Sequence, residues 1–374
     1  MSMTWGQLSG LLARNSIEKH IPIIGEFELT PRCNLKCRMC YIRRNYNDSE
    51  AINGERTAKE WIQLACEARD AGMLFLLLTG GEVFLRKDFK TIYEEISMMG
   101  FNITIYTNGT MITPQAANWL GNIPPSQIEV TLYGSSPDTY GRVCGDPDGF
   151  ERAVRGIGLL ADQGINVQLR TTVVRGNADD FETIADMAKS LGLSLGIVNY
   201  ISPRREGTLN CPEAERLSPK ELAEFEKRVS RYNGKQDNGN KYPANPIEDK
   251  LAEVLKVPGI LPGRKNSFPC GNGKNVFWIT WDGRMVPCSL MDKPETFPFE
   301  YGFMPAWQEL QKLCTFVPAC EACSRCSFLD YCASCPARLL NETGSFEQPA
   351  LYLCELAQER EKINQDKVIY ADGR

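Results

Sequence analysis

The sequence predicts an α/β fold: six consecutive βα units over about residues 26 to 200, followed by a smaller cysteine-rich α+β domain. Three observations carry this. Short β-branched or Leu-rich runs alternate with amphipathic stretches through the first part, the pattern of strands feeding a parallel sheet. Gly72, Gly100, Gly164 and Gly192 each stand between a helical stretch and the next strand, where a helix C-cap favours a residue tolerant of positive φ. From about residue 266 the chain is rich in Cys and poor in long periodic segments, as expected where metal clusters substitute for an apolar core.

The 374 residues suit one large domain and a smaller one better than a single compact unit. After an N-terminal extension, 1–25, the strands read as 27–30, 74–79, 102–107, 128–133, 167–173 and 195–200. Between them lie helical stretches such as 58–71, 87–99, 149–163 and 180–191. A polar segment, 202–219, leads to a charged helix from 219 to about 232, where the first domain is expected to close. The Gly/Asn/Lys-rich stretch 233–245 opens a linker, 233–265; the cysteine-rich domain takes 266–355, and 356–374 reads as a C-terminal helix and tail. Six βα units make either a doubly wound sheet or an incomplete (βα) barrel, and periodicity alone does not separate the two.

Composition removes several function classes. Lys+Arg 42 against Asp+Glu 47 leaves a net charge of −5, which gives no general attraction to nucleic acid or anionic lipid. No stretch approaches the ~18 uninterrupted apolar residues of a membrane helix, and the N-terminus lacks the order of a signal peptide, so a cytoplasmic protein is expected. The only histidine is His20, which excludes His-rich metal sites and, unless His20 itself serves, Ser-His-Asp and Cys-His nucleophile systems. The 15 cysteines are clustered, with none before Cys33 and six from Cys314 to Cys335; in a large chain without an export signal this means metal more often than disulfides.

Directly after the first strand stands Pro31-Arg32-Cys33-Asn34-Leu35-Lys36-Cys37-Arg38-Met39-Cys40, a C-x3-C-x2-C triplet. Three thiolates on one loop at a strand's C-terminal end can hold three corners of an iron–sulfur cube and leave the fourth iron open to a ligand. Chance yields this spacing about 0.02 times in such a chain. A zinc site or buried thiols are the plainer readings.

The triplet resembles the signature of the radical S-adenosylmethionine (SAM) enzymes, in which the open iron chelates the amino and carboxylate groups of SAM. Further segments match in order. Thr79-Gly80-Gly81-Glu82 resembles that family's GGE motif: the resemblance implies that Gly80 and Gly81 let backbone approach the methionine moiety and that Glu82 pairs with its ammonium. Thr107-Asn108-Gly109 and Thr131-Leu132-Tyr133-Gly134 resemble strand-end segments lining the SAM pocket, making Thr107, Asn108 and Thr131 candidate polar contacts, against the plainer reading of satisfied strand-end residues. Arg170, in the fifth strand, is costly inside a barrel unless paired. Its partner is either the SAM carboxylate or a carboxylate of the chain. The resemblance decides the fold class in favour of a partial (βα)6 TIM-like barrel.

In the C-terminal part, Cys270, Gly283 and Cys288 fit the C-x9-15-G-x4-C opening of the SPASM domain, and Cys323-x2-Cys326-x5-Cys332-x2-Cys335 with Cys354 resembles its closing half. By that resemblance Cys270, Cys288 and Cys335 hold a first auxiliary cluster and Cys323, Cys326, Cys332 and Cys354 a second. Three departures stand out: Met39 replaces an aromatic residue, the last spacing is x2 rather than x3, and Cys314 and Cys320 lie just upstream, where either completes the first cluster or replaces a ligand. If neither does, that cluster keeps an open iron for a substrate thiolate. Cys66 reads as a buried apolar residue of a helix, while Cys144 and Cys211 read as free thiols in loops or, less simply, as catalytic or substrate-linking ones. The basic pairs Arg43-Arg44 and Arg204-Arg205 read as solvated loops or as contacts for an acidic peptide.

The resemblance implies three 4Fe–4S clusters, one binding SAM and two auxiliary, with an electron donor such as flavodoxin or ferredoxin. One electron from the cluster at Cys33, Cys37 and Cys40 cleaves SAM to methionine and a 5′-deoxyadenosyl radical, which takes hydrogen from a substrate. Peptides and proteins are the commonest substrates of such relatives, so the leading expectation is a thioether or carbon–carbon crosslink in a ribosomally made peptide. With about 25 residues before the first strand, leader recognition is expected from a separate protein or not at all. The enzyme alternatives are formylglycine formation in a protein, and dehydrogenation or epimerisation of a peptide or small polyol. Formylglycine-forming relatives carry an acidic residue where this chain has Ser289. From another class stands a non-catalytic iron–sulfur or zinc module, which has no need of the GGE and strand-end motifs.

Overall fold

A computed structural model describes residues 5–203, 212–235 and 268–371. The strands are β1 (Ile24–Glu28), β2 (Arg32–Cys33), β3 (Arg44–Asn45), β4 (Phe75–Thr79), β5 (Asn102–Thr107), β6 (Gln127–Thr131), β7 (Val167–Thr172), β8 (Leu195–Val198), β9 (Val276–Ile279) and β10 (Met285–Val286). Eight of them form one sheet in the order β10-β9-β1-β4-β5-β6-β7-β8, parallel except for the β9–β10 hairpin. The six strands expected from the sequence, β1 and β4 to β8, therefore follow one another in chain order with no reversal. A doubly wound sheet changes direction at a switch point; this one winds one way, as an open barrel does.

Each crossover is built from local signals. The helix Ala58–Asp70 starts at Thr57 with a capping box to Glu60, Pro114–Asn122 is capped by Thr113, and Pro137–Cys144 by Ser136. The four glycines before strands all have positive φ, as the helix-to-strand turns require. Alternation along the strands then divides the sheet. Phe27, Leu76, Leu78, Ile105, Val130 and Leu169 are buried on the outer face beneath the helices, where the Phe27 and Trp61 rings lie 5.3 Å apart. The inner face is polar: Glu28 and Glu129 are almost wholly buried there, in step with Glu26, Tyr106, Arg170 and Trp278.

The C-terminal segment is part of this sheet. The buried run Val276–Ile279 pairs with β1 in parallel, setting Glu26 beside Trp278, and the Trp278 indole N–H donates to Glu28 Oε2 at 3.0 Å. The helix Phe303–Thr315 packs Trp307 on Phe277, and its indole donates to the His20 carbonyl at 2.9 Å. His20 thus belongs to the turn between the first helix, Trp5–Glu18, and β1. On the other side Leu351–Ala371, a single helix carrying Cys354, packs along Pro219–Lys235, with Arg360 on Glu226 at 2.6 and 2.8 Å. Among the described residues no helix is long and apolar enough to cross a membrane.

Candidate functional site

The cysteine triplet lies on a loop closed at its base by two-residue strands, with Arg32 opposite Arg44 and Cys33 opposite Asn45. Its entry is pinned by charge. Arg32 grips Glu55 with Nε at 2.7 Å and Nη2 at 2.9 Å, and the same carboxylate takes the Thr30 hydroxyl and lies 3.7 Å from Arg86. The far side of the loop is tied by backbone to the end of Pro137–Cys144: Lys36 N–H donates to the Cys144 carbonyl at 2.8 Å and Arg38 N–H to that of Val143 at 3.2 Å. Leu35 and Met39 are buried, so the methionine in place of an aromatic keeps the apolar anchor.

The three thiols are close enough to feel one another. Burial, then the charges of Cys37 and Glu82, raises Cys33 well above an ordinary thiol. A hydrogen bond shared with the Cys144 thiol, and then burial, does the same for Cys37, while burial and Cys37 push Cys40 up to about 11. Such thiols become thiolates only beside a cation, so this donor set fits an iron–sulfur cluster. Arg43 sits beside Cys37 and Cys40 and opposes their upward shift, whereas Arg44 is bound to Asp48 and Glu50.

Glu82 is fully buried at the end of β4 and organises the neighbouring strand end. Its carboxylate accepts the Thr107 hydroxyl at 2.8 and 3.0 Å, the Asn108 N–H at 2.8 Å and the Phe84 N–H at 3.1 Å. Burial pushes its acid up to about 7 against those hydrogen bonds. Asn108 carries the connection onward, its amide donating to Asn34 Oδ1 at 3.0 Å and lying 3.6 Å from Cys33 Sγ. Gly80 and Gly81 lie against the start of the cysteine loop: a Cβ on Gly80 would stand 2.3 Å from the Thr30 carbonyl, and one on Gly81 2.3 Å from that of Arg32. The atoms they meet there are backbone atoms of Thr30, Pro31 and Arg32, and Gly81 N–H donates to Thr30 O at 2.7 Å.

Gly80, Gly81, Glu82, Thr107, Asn108 and Cys33 are therefore one connected group. Thr131 and Arg170 face each other in the β6–β7 register, one strand further round. Arg170 has a carboxylate of the chain: its Nε lies 2.9 Å from Glu129 Oε2, its Nη2 donates to the Tyr106 hydroxyl at 2.8 Å, and its guanidinium lies 4.5 Å from the centre of that ring. Sequence reasoning left two contributors unassigned and misplaced a third. Glu55 is fixed by a long-range ion pair, Tyr133 hydrogen-bonds Cys37, and Cys144 is a fully buried helix-end residue rather than a loop thiol. Only the segment Thr131-Leu132-Tyr133-Gly134 carried a hint, for Tyr133. Cys66 is half-buried on its helix beside Arg69, 3.3 Å from Nη2. Arg204, Arg205 and Cys211 lie outside the described residues.

The remaining thiols fall into two groups. Cys270 feels Cys335, and Cys288 feels Cys335, Cys270 and, from the barrel interior, Glu26. Cys314 lies on the Cys270 side, pushed up to about 12 by burial and then Cys270. In the second group Cys323 shares a hydrogen bond with Cys320 and feels Cys354 and Cys332, while Cys354 feels Cys332, Cys326 and Cys320. Among the described residues no three Cys, His, Asp or Glu side chains converge on one point as ligands of a single ion do.

Comparison with known proteins agrees with this geometry. Residues 27–188 match the radical SAM superfamily model. The chain is 24% identical over 343 residues to an AdoMet-dependent heme synthase of Methanosarcina barkeri, covering 88% of this chain and 95% of that one. It is 30% identical over 287 residues to the PqqA peptide cyclase of Ruegeria pomeroyi, covering 74% of this chain and 69% of the relative. The crystal structure of Streptococcus suis SuiB bound to precursor peptide SuiA superposes with a TM-score of 0.68 at 16% identity, over 92% of this chain and 79% of that one, a likeness of fold. With the cysteine triplet on the loop after β1, the strands wound in chain order and a 30% identical relative along most of its length, the chain belongs to the radical SAM superfamily, whose members use a 4Fe–4S cluster and SAM.

Proposed function

We propose that the protein is a peptide maturase that forms a thioether or carbon–carbon crosslink in a ribosomally made peptide. The observation that carries this reading is the 30% identity to a peptide cyclase along 74% of the chain. Supporting it, each thiol set lies beside a carboxylate of the barrel strands: Cys33 feels Glu82 just after β4, and Cys288 feels Glu26 on the inner face of β1. A substrate in the barrel would lie between the two thiol sets.

Cys33, Cys37 and Cys40 hold the SAM-binding cluster; when bound, it supplies the electron that cleaves SAM and so generates the hydrogen-abstracting radical. Arg32, Glu55 and Arg86 keep the loop entry rigid, and buried Leu35 and Met39 keep water from its base. Glu82 would accept an N–H bond from the SAM amino group, while Thr107 and Asn108 fix the orientation of its carboxylate. Thr131 lines the same mouth, and Arg170, held by Glu129, keeps the Tyr106 ring in place below it. Cys270, Cys288 and Cys335 serve one auxiliary cluster and Cys323, Cys326, Cys332 and Cys354 another, with a flavodoxin or ferredoxin as electron donor in the cytoplasm.

The likeness to heme synthases, which extends over 95% of the relative, favours a second reading: radical chemistry on a tetrapyrrole side chain. One experiment separates them. The protein is co-expressed anaerobically with any short peptide encoded beside its gene, and separately incubated with SAM and dithionite. A peptide lighter by about two mass units per crosslink supports the maturase. An unchanged peptide together with 5′-deoxyadenosine formation only when a porphyrin precursor is added supports the second reading. No 5′-deoxyadenosine above a Cys33→Ala/Cys37→Ala/Cys40→Ala control rejects both.

A further inference from the structure

We infer that Cys314 is the fourth protein ligand of the first auxiliary cluster, completing Cys270, Cys288 and Cys335, so that this cluster has no iron open to substrate. The inference rests on the auxiliary-cluster reading above and deepens it.

The first group holds three thiols for a four-iron cluster, and the structure sets one further thiol over the turn that follows the first of them, Cys270. Cys314 closes the last turn of the helix Phe303–Thr315, is 7% exposed, and lies over the turn that follows Cys270. Its Sγ stands 2.5 Å from where a Cβ on Gly273 would be, and its own Cβ 3.1 Å away, so the thiol fills the place that a side chain at 273 would occupy. Gly273 has φ +69°, and its turn is closed by Asn275 N–H on the Gly271 carbonyl and by Gly273 N–H on that of Val276, each 2.9 Å. Gln311, one turn before Cys314, donates to the Lys274 carbonyl at 3.0 Å and fastens helix to turn. Turn and helix thus present Cys270 and Cys314 from a single rigid corner.

The competing thiols are committed elsewhere. Cys320 shares a hydrogen bond with Cys323, donates to the Glu347 carbonyl at 3.1 Å and packs with Leu339, Ala350 and Leu353, inside the second group. Cys144 is engaged with Cys37, and Cys66 lies on the helix Ala58–Asp70 beside Arg69. Among the described residues Cys314 is what remains. Each thiol would give its proton to solvent on ligating iron, and the charge of the iron would offset the cost that burial places on a bare thiolate. A substrate cysteine then reaches the radical without its sulfur on this cluster.

The test uses the full chain with the radical cluster removed, Cys33→Ala/Cys37→Ala/Cys40→Ala, reconstituted anaerobically. Two auxiliary clusters bring about eight iron per chain; about four or fewer rejects the two-cluster reading itself, and the ligand assignment with it. With eight iron bound, the reduced protein is treated with ¹³C-cyanide, which binds an open iron and gives a ¹³C hyperfine coupling in pulsed EPR. The expected result is no coupling in this background, and coupling or loss of about four iron when Cys314→Ala is added. Cys320→Ala and Cys211→Ala are expected to leave the background result unchanged. Coupling in the background, which needs no Cys314 variant to be read, overturns the assignment, as does a Cys314→Ala protein that keeps eight iron without coupling.

Discussion

The buried Glu82 carboxyl gives the sharpest test of how this site holds SAM. With its acid held up at about 7 by burial, Glu82 is mostly protonated at pH 6 and mostly ionised at pH 8. The ionised form is the stronger acceptor for the N–H bonds of the SAM amino group, so the sign is fixed: affinity for SAM rises with pH through 7. An ionised fraction that climbs from about 0.1 to about 0.9 strengthens binding about ninefold, or roughly 1.3 kcal/mol. Glu82→Gln removes the titration. It also sets an amide NH2 against either the Phe84 or the Asn108 N–H, leaving a buried donor unmet at a cost of about 1–3 kcal/mol. Thr107→Val deletes a hydrogen bond that favours the ionised form, so the midpoint of the rise moves to higher pH. The assay is equilibrium binding of SAM to the anaerobic holoenzyme from pH 6 to 8. A flat wild-type profile, or a Glu82→Gln variant with the wild-type slope, refutes the contact between this carboxylate and the SAM amino group.

Three further outcomes follow from the loop's supports. Glu55→Gln leaves Arg32 and Arg86 facing an uncharged amide, and loss of one partner from this buried network lowers stability by roughly 3–5 kcal/mol, read as a fall in the thermal midpoint of the apoprotein. Gly81→Ala drives a methyl into the Arg32 carbonyl and shifts the start of the cysteine loop; reconstituted protein is expected to lose about four iron while keeping its auxiliary complement. Cys144→Ala removes the thiol beside Cys37 but no ligand, so about twelve iron remain, whereas Cys37→Ala loses about four. Iron and sulfide analysis beside circular dichroism distinguishes these outcomes from misfolding.

What could be read in the sequence was local. The cysteine triplet and Glu82 announce themselves by spacing, since groups that share one loop or one strand end are near in sequence when near in space. The six strands followed from alternation, though β1 begins at Ile24 rather than 27, where Gly25 fits beneath Phe277 and Met73 with no room for a side chain. The join of β9 to β1 was not legible: Val276–Ile279 is a short apolar run with no local sign of its partner some 250 residues away. Ion pairs behave the same way. The cost of burying Arg170 demanded a carboxylate, but only the register of β6 against β7 identifies Glu129 as the group that supplies it.

That register also explains why the interior tolerates so much polarity. Glu28, Glu129 and Arg170 project from strands whose other faces carry the apolar core, so each polar group inside is balanced by a Phe, Val or Leu outside, next to it in sequence. Most of the partners come from other strands: Glu28 takes Trp278 from β9, and Arg170 takes Glu129 from β6 and Tyr106 from β5, while Glu129 also takes the Gln127 amide of its own strand. Moving any of these strands by one residue strands a buried charge, which costs several kcal/mol. The polar interior therefore fixes strand register, and through it the relative heights at which Cys33, Glu82, Thr107 and Thr131 meet the mouth. A change at Glu129 or Trp278, remote from the cysteine loop, is expected to disturb SAM affinity and iron content together, whereas a change at the mouth that leaves the cysteine loop undisturbed moves the first alone.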